Sequence, residues 1–116
     1  MSMTQLHGDT GWVCIAGVND SNGLYYRVKN GFCTVFGDGG SVWNGNPKAN
    51  AEVLLATLPA EARPSLGPSI NVLCGRNKGV ALDSILKVYS DGRVTLYTSV
   101  TNTSGYWNGS ITYPVL

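Results

Sequence analysis

The 116 residues carry 8 Lys plus Arg against 7 Asp plus Glu, a net charge of +1, and a mean hydropathy of +0.01. One domain of this size buries roughly two-thirds of its unfolded surface. Sparse, mixed charge excludes the clustered Lys and Arg that nucleic acid or an anionic membrane surface requires, and no apolar run reaches the ~18 residues of a membrane span.

Residues 1–8 read as a flexible lead, an expression remnant or the stub of a stalk, and residues 9–116 as a single domain. No secretory signal opens the chain. Gly11-Trp-Val-Cys-Ile-Ala16 is a first strand, apolar on both faces. Leu24-Tyr-Tyr-Arg-Val-Lys29 and Phe32-Cys-Thr-Val-Phe36 flank Asn30-Gly31, a strong two-residue hairpin signal. That loop sets Val28 opposite Cys33 and Tyr26 opposite Val35 on a core face, and leaves Tyr25, Phe32 and Phe36 beside Arg27 and Lys29 on the reverse.

A long polar stretch, 37–50, follows, with Trp43 as its one large aromatic. Ala51 to Leu58 is ambiguous between strand and helix, since Asn50 is placed to cap a short helix. Pro59, Pro64 and Pro68 mark a corner, and Ser69-Ile-Asn-Val-Leu-Cys74 is a strand. Between Ser84 and Thr98 two alternating strands meet at a turn. A two-residue loop there would mix charge with core. A three-residue Ser90-Asp-Gly92 loop pairs Val88 with Val94, Leu86 with Leu96 and Ser84 with Thr98. A slip of one residue inverts every side chain, so the second register is the one expected, with Gly92 in the left-handed position. In the last strand Trp107, Gly109, Ile111 and Tyr113 share one face, and Asn108, Ser110 and Thr112 the other. Trp12 and Trp107 are read as core.

About eight short strands joined by turns make an all-β protein, an antiparallel β-sandwich of jelly-roll type. Its one core leaves the second apolar face of the first strand and hairpin wanting a cover, and self-association supplies it.

Chemistry is sparse. Asp9, Asp20, Asp38 and Asp91 sit in turns, where carboxylates usually cap the backbone. No pair of carboxylates stands out for glycoside hydrolysis, the only histidine is His7, and no phosphate-binding loop is present. Cys14, Cys33 and Cys74 lie far apart, whereas zinc ligands pair about two to four residues apart, so the three are expected to be buried thiols. Neither an enzyme, a metal nor a cofactor is expected. Binding of a polar, ring-shaped ligand fits better. Sugars are held by aromatic faces and by Asp, Asn and Arg, and the 37–50 stretch offers Asp38, Trp43, Asn44, Asn46 and Lys48. Arg76, Asn77 and Lys78 join them from a neighbouring turn. Trp43 either presents its ring to ligand or anchors the loop on the core.

The order Asp9-Thr-Gly-Trp12, Tyr26-Arg-Val-Lys-Asn-Gly31, Leu58-Pro-Ala-Glu-Ala-Arg-Pro64, Ser90-Asp-Gly-Arg-Val94 and Trp107 to Pro114 resembles a known family. These are the C-terminal head domains of receptor-binding (tail fibre or baseplate) proteins from phages of Gram-positive bacteria. The resemblance runs from Asp9 to Pro114 and rests on the order and spacing of short motifs. It implies a jelly-roll-like homotrimer on a virion appendage, its N-terminus joined to a stalk, binding host cell-wall saccharide. On that view the sequence is an excised head. At the corner the chain has Glu61 and Ala62 where the family pattern carries Gly and an aromatic. Ligand residues vary within the family, so no binding residue is carried over from it. A structural cap that closes a fibre without touching the host has the same fold and oligomer.

Overall fold

The computed structural model describes residues 9–19, 22–38, 50–76, 81–98 and 107–115. Eight strands carry the fold: β1 (Val13–Asn19), β2 (Asn22–Lys29), β3 (Phe32–Asp38), β4 (Ala51–Thr57), β5 (Ser69–Arg76), β6 (Ala81–Tyr89), β7 (Arg93–Thr98) and β8 (Trp107–Pro114). A 3₁₀ turn, Ala60–Ala62, follows β4. Among the described residues no helix is long and apolar enough to cross a membrane.

All strand pairs are antiparallel, in the order β1-β2-β3-β8-β5-β6-β7-β4. The ladder is continuous, yet β5 meets β8 only at Gly75–Asn108 and Arg76–Trp107. At that narrow seam the sheet folds over, and four strands (β1-β2-β3-β8) face four (β5-β6-β7-β4). The sandwich and its eight strands are as the sequence implies. Among the described residues the strand order carries a Greek key, β4 to β7, beside the β1-β2-β3 meander, with β8 between β3 and β5.

Both hairpin registers follow from turn chemistry. Asn30 and Gly31 take φ of 55° and 82°, the left-handed pair that a two-residue turn matching strand twist needs. Tyr26 then faces Val35 and Val28 faces Cys33. In the second hairpin Val88 faces Val94, Leu86 faces Leu96 and Ser84 faces Thr98, with Gly92 at φ 96°. Residues 51–57 form a strand. Asn50, at φ 58°, donates its backbone N–H to Thr98 at 2.8 Å and so starts the pairing of β4 with β7 instead of capping a helix.

Leu24, Tyr26, Cys33, Val35, Ile111 and Tyr113 from one half pack against Leu86, Val88, Val94 and Leu96 from the other. Each fully buried aliphatic side chain contributes about 1.5–3 kcal/mol relative to exposure. Leu58 and Ala62 close the core at the corner. The small side chain at Ala62 suits its place there: it is fully buried, and its carbonyl accepts a 2.6 Å hydrogen bond from Tyr113 Oη, while Glu61 stays exposed. The two outermost strands, β1 and β4, each carry a register break, at Cys14/Ala16 and Gly17/Asn19 in β1 and at Leu54/Ala56 in β4. Bulges of this kind discourage edge-to-edge pairing with other chains.

Two burial expectations are corrected. Trp12 is 54% exposed, not core. Val13 and Ile15 take the inward positions of β1, so their neighbours Trp12 and Cys14 face outward. For the same reason Cys14 is an exposed thiol, while Cys33 is buried as expected. The side chains of Cys74 and Trp107 and the lead at 1–8 lie outside the described residues.

Candidate functional site

Register places two of the sequence-predicted residues, Asp38 and Arg76, at one end of the sandwich. β3 finishes at Asp38, β5 finishes at Arg76, and β8 begins at Trp107. Asp38 pairs with Asn108, Asn108 with Gly75, and Trp107 with Arg76. Asp38 and Arg76 therefore end neighbouring strands on either side of β8, about two ladder spacings or ~10 Å apart in backbone terms. The segments 20–21, 39–49, 77–80 and 99–106 all leave from this end. Trp43, Asn44, Asn46, Lys48, Asn77 and Lys78, all named from sequence, belong to them and lie outside the described residues, as do the side chains of Asp38 and Arg76. At the opposite end are the Asn30-Gly31 and Ser90–Gly92 turns, and Asp9, which bridges to Lys29.

Among the described residues a concave surface lies on the outer face of the β1-β2-β3-β8 half. A groove of about 520 Å³ is lined by Trp12, Tyr25, Thr34, Phe36 and Ser110. Tyr25, Phe36 and Ser110 form one cross-strand row; Arg27, Thr34 and Thr112 form the next. The two threonine hydroxyls lie 2.9 Å apart. Tyr25 and Phe36 are legible in the sequence as a reverse-face pair. Thr34 and Ser110 are not, because a hydroxyl on an outward strand position is unremarkable until the rings around it are known.

Charge near the groove is already engaged. Arg27 Nε donates to Asp9 Oδ1 at 2.9 Å, Arg27 Nη2 donates to Asp9 Oδ2, and Gly11 N–H adds a 2.8 Å bond to Oδ1. The Arg27 guanidinium holds the Asp9 carboxyl well below the usual carboxylate range. On the other outer face Tyr89 Oη donates to Glu52 Oε2 at 2.6 Å, which lowers the Glu52 pKa and raises that of the phenol. Arg93 lies over the Tyr89 ring at 4.1 Å and pairs with Asp91 at 2.9 Å. These carboxylates are held by partners rather than set facing one another. Among the described residues no three His, Cys, Asp or Glu side chains converge on one point.

Apolar side chains are exposed on both outer faces. Phe32 (53%) stands at the hairpin tip beyond the groove, and Leu54 (58%) and Leu73 (61%) stand on the β5-β6-β7-β4 face.

The fold is that of a phage receptor-binding head domain. Over 91% of this chain and 98% of the other, it superposes on the head domain of the lactococcal phage bIL170, described among the receptor-binding domains of lactococcal phages, with a TM-score of 0.66 at 16% identity. No family model matches the chain, and no curated protein matches its sequence.

Proposed function

We propose that this chain is the host-recognition head of a phage appendage, carried on the virion and binding saccharide on the bacterial surface without enzymatic turnover. The observation that carries the reading is the fold likeness across nearly the whole chain. The strand ends that flank 20–21, 39–49, 77–80 and 99–106 lie together at the end away from Asp9, which supports it, because recognition residues favour loops held on a rigid scaffold. Asp38, Trp43, Asn44, Asn46, Arg76 and Asn77 are the residues proposed to contact sugar from that end.

The head is proposed to act as a homotrimer. A closed ring uses two different, complementary patches on each subunit, whereas a two-fold dimer uses one self-complementary patch. The sandwich exposes two unlike apolar surfaces, Trp12, Phe32 and Phe36 on the first strand and hairpin and Leu54 with Leu73 on the opposite face. Three copies would present any weak sugar site three times, raising avidity by roughly 10²–10⁴ where geometry allows.

Adsorption tests the proposal: fluorescent protein is mixed with a panel of Gram-positive cells, lactococci first, with purified wall polysaccharide as competitor. Binding that the polysaccharide blocks is the expected result. A trimer that adsorbs to none of the panel would favour the second reading, a structural cap.

A further inference from the structure

We infer that residues 1–8, which lie outside the described residues, cross the Asp9 end of the sandwich as a strap, seating Leu6 against Phe32 and Met3 against Leu66. Backbone pairing lays out the path. Asp9 bridges to Lys29, Lys29 pairs with Phe32, Phe32 pairs with Pro114, and the Pro114 carbonyl accepts from Ser65 N–H at 3.2 Å. These links make one row across the strand ends, from Asp9 to the corner after β4. Two large apolar side chains stand exposed along it, Phe32 (53%) and Leu66 (61%), the second directly after Ser65.

Length and spacing fit that row. Neighbouring strands lie ~4.8 Å apart, which puts Phe32 ~10 Å and Ser65 ~19 Å from Asp9 along it. A polyproline-type path rises ~3.1 Å per residue, so Leu6 reaches ~9 Å from Asp9 and Met3 reaches ~19 Å. The same path turns once in about three residues, so Met3 and Leu6 share one side of it and Ser2, Thr4, Gln5 and His7 are left to solvent. It needs no internal hydrogen bonds and keeps its backbone hydrated, which suits a chain crossing strand ends. Gly8 admits the bend out of the pairing at Asp9, since glycine takes left-handed backbone without steric penalty.

The tether selects the occupant. Asp9 is held by Arg27 Nε and by Gly11 N–H, and Thr10 N–H is bonded to Val28 O, so the root of the strap is fixed beside the patch. A tether this short gives an effective concentration in roughly the millimolar range, whereas a second copy reaches the patch only at its free concentration. Trp12 and Phe36 stand higher in the ladders than this row and stay available to the ring proposed above. The strap itself does not depend on host recognition.

NMR relaxation and NOE spectroscopy of the whole chain test it. Contacts are expected within one copy, between the Leu6 methyls and the Phe32 ring and between the Met3 and Leu66 methyls. Order parameters of Thr4 to His7 should approach the ~0.85 of rigid backbone. A Met3→Ser, Leu6→Ser double variant, folded by its strand amides, should drop them below ~0.6 and move the Phe32 and Leu66 signals. Leu6→Met, which keeps an apolar side chain, should hold them near wild type. The strap is overturned by wild-type order parameters below ~0.6, or by a double variant that leaves the Phe32 and Leu66 signals in place. It is also overturned if isotope-filtered spectra show Phe32 meeting a second copy in place of its own Leu6, since the occupant is then that copy.

Discussion

Tyr113 Oη donates a 2.6 Å hydrogen bond to the carbonyl of Ala62, tying the last strand to the corner that follows β4. Both residues are buried, with Tyr113 1% and Ala62 0% exposed. Removing the hydroxyl leaves a buried carbonyl unpaired, so Tyr113→Phe is expected to cost about 1–3 kcal/mol in urea unfolding. Burial also drives the phenol well above the ordinary tyrosine range. The unfolded phenol ionises near pH 10 while the folded one stays neutral, so its contribution is complete below about pH 10 and is lost as pH rises above it. Tyr113→Phe should therefore flatten the alkaline loss of stability. An unchanged slope above pH 10 would assign that loss to other groups.

Gly92 is constrained twice over. Its φ of 96° is left-handed, and a Cβ there would stand 2.7 Å from both Leu58 O and Arg63 Nε. Leu58 O already accepts from Arg63 Nε at 3.1 Å, and Leu58 N–H donates to Gly92 O at 2.8 Å. Gly92→Ala should destabilise by at least about 1–3 kcal/mol through backbone strain alone. Chemical denaturation reads it, and a variant as stable as wild type would contradict the turn geometry.

The Asp9 carboxylate organises the start of the domain. With Arg27 bound, Thr10 N–H donates to Val28 O at 3.0 Å and Val28 N–H donates to Thr10 Oγ1 at 3.0 Å. Because the folded carboxyl titrates below its unfolded value, its stabilisation is present above about pH 3.9 and is lost as pH falls from there through the folded value. Asp9→Asn should speed amide exchange at Val28 at neutral pH. In wild type the same loosening should appear only in strong acid. Equal Val28 exchange in the two proteins at pH 7 would mean that the pair does not hold this segment.

Local chemistry makes both hairpins legible in the amino-acid order. Asn30-Gly31 and Gly92 each admit one register, and core residues fall on one side only in that register. The fold-over is not legible, because β8 pairs with β3 and β5, and β4 with β7, across long stretches of chain. The outward turn of Trp12 escapes the sequence for a related reason. β1 is apolar on both faces, so alternation cannot tell which phase points inward; that is decided by Val13 and Ile15 meeting the opposite half. Leu54 and Leu73 are not assigned a face by the sequence, and their register opposite Thr95 and Ile85 puts them outside. For the site, register brings Asp38 and Arg76 to one end, while Trp43, Asn44, Asn46 and Asn77 lie beyond the described residues.

Trp43 gives a direct test of the loop reading. Trp43→Ala should abolish polysaccharide-blocked adsorption while leaving the unfolding midpoint within the error of wild type. Undiminished adsorption by the folded variant would remove that ring from the contact surface.

Assembly can be tested without a ligand. Three chains of 12.3 kDa give a particle of about 37 kDa by light scattering after gel filtration. Phe32→Ser and Leu73→Glu should each shift this toward 12.3 kDa, since both side chains are more than half exposed in the single chain. If both variants keep the wild-type mass, the ring, where present, uses other surfaces.

The last strand of the chain is also the one that joins its two halves, and this bears on how the protein is made. As residues leave the ribosome, β1-β2-β3 can pair as one unit and β4 to β7 as another, yet neither has a hydrogen-bonded neighbour in the other until β8 emerges. Closure then requires contacts such as Val35–Ile111, far apart in sequence, and long-range pairing of this kind is slow. The open intermediate carries an unsatisfied sheet edge along the whole of β3, which β8 conceals, and it lacks the two pairs by which β8 joins the end of β5. A chain that stops before Trp107 is therefore an aggregation hazard rather than a smaller head.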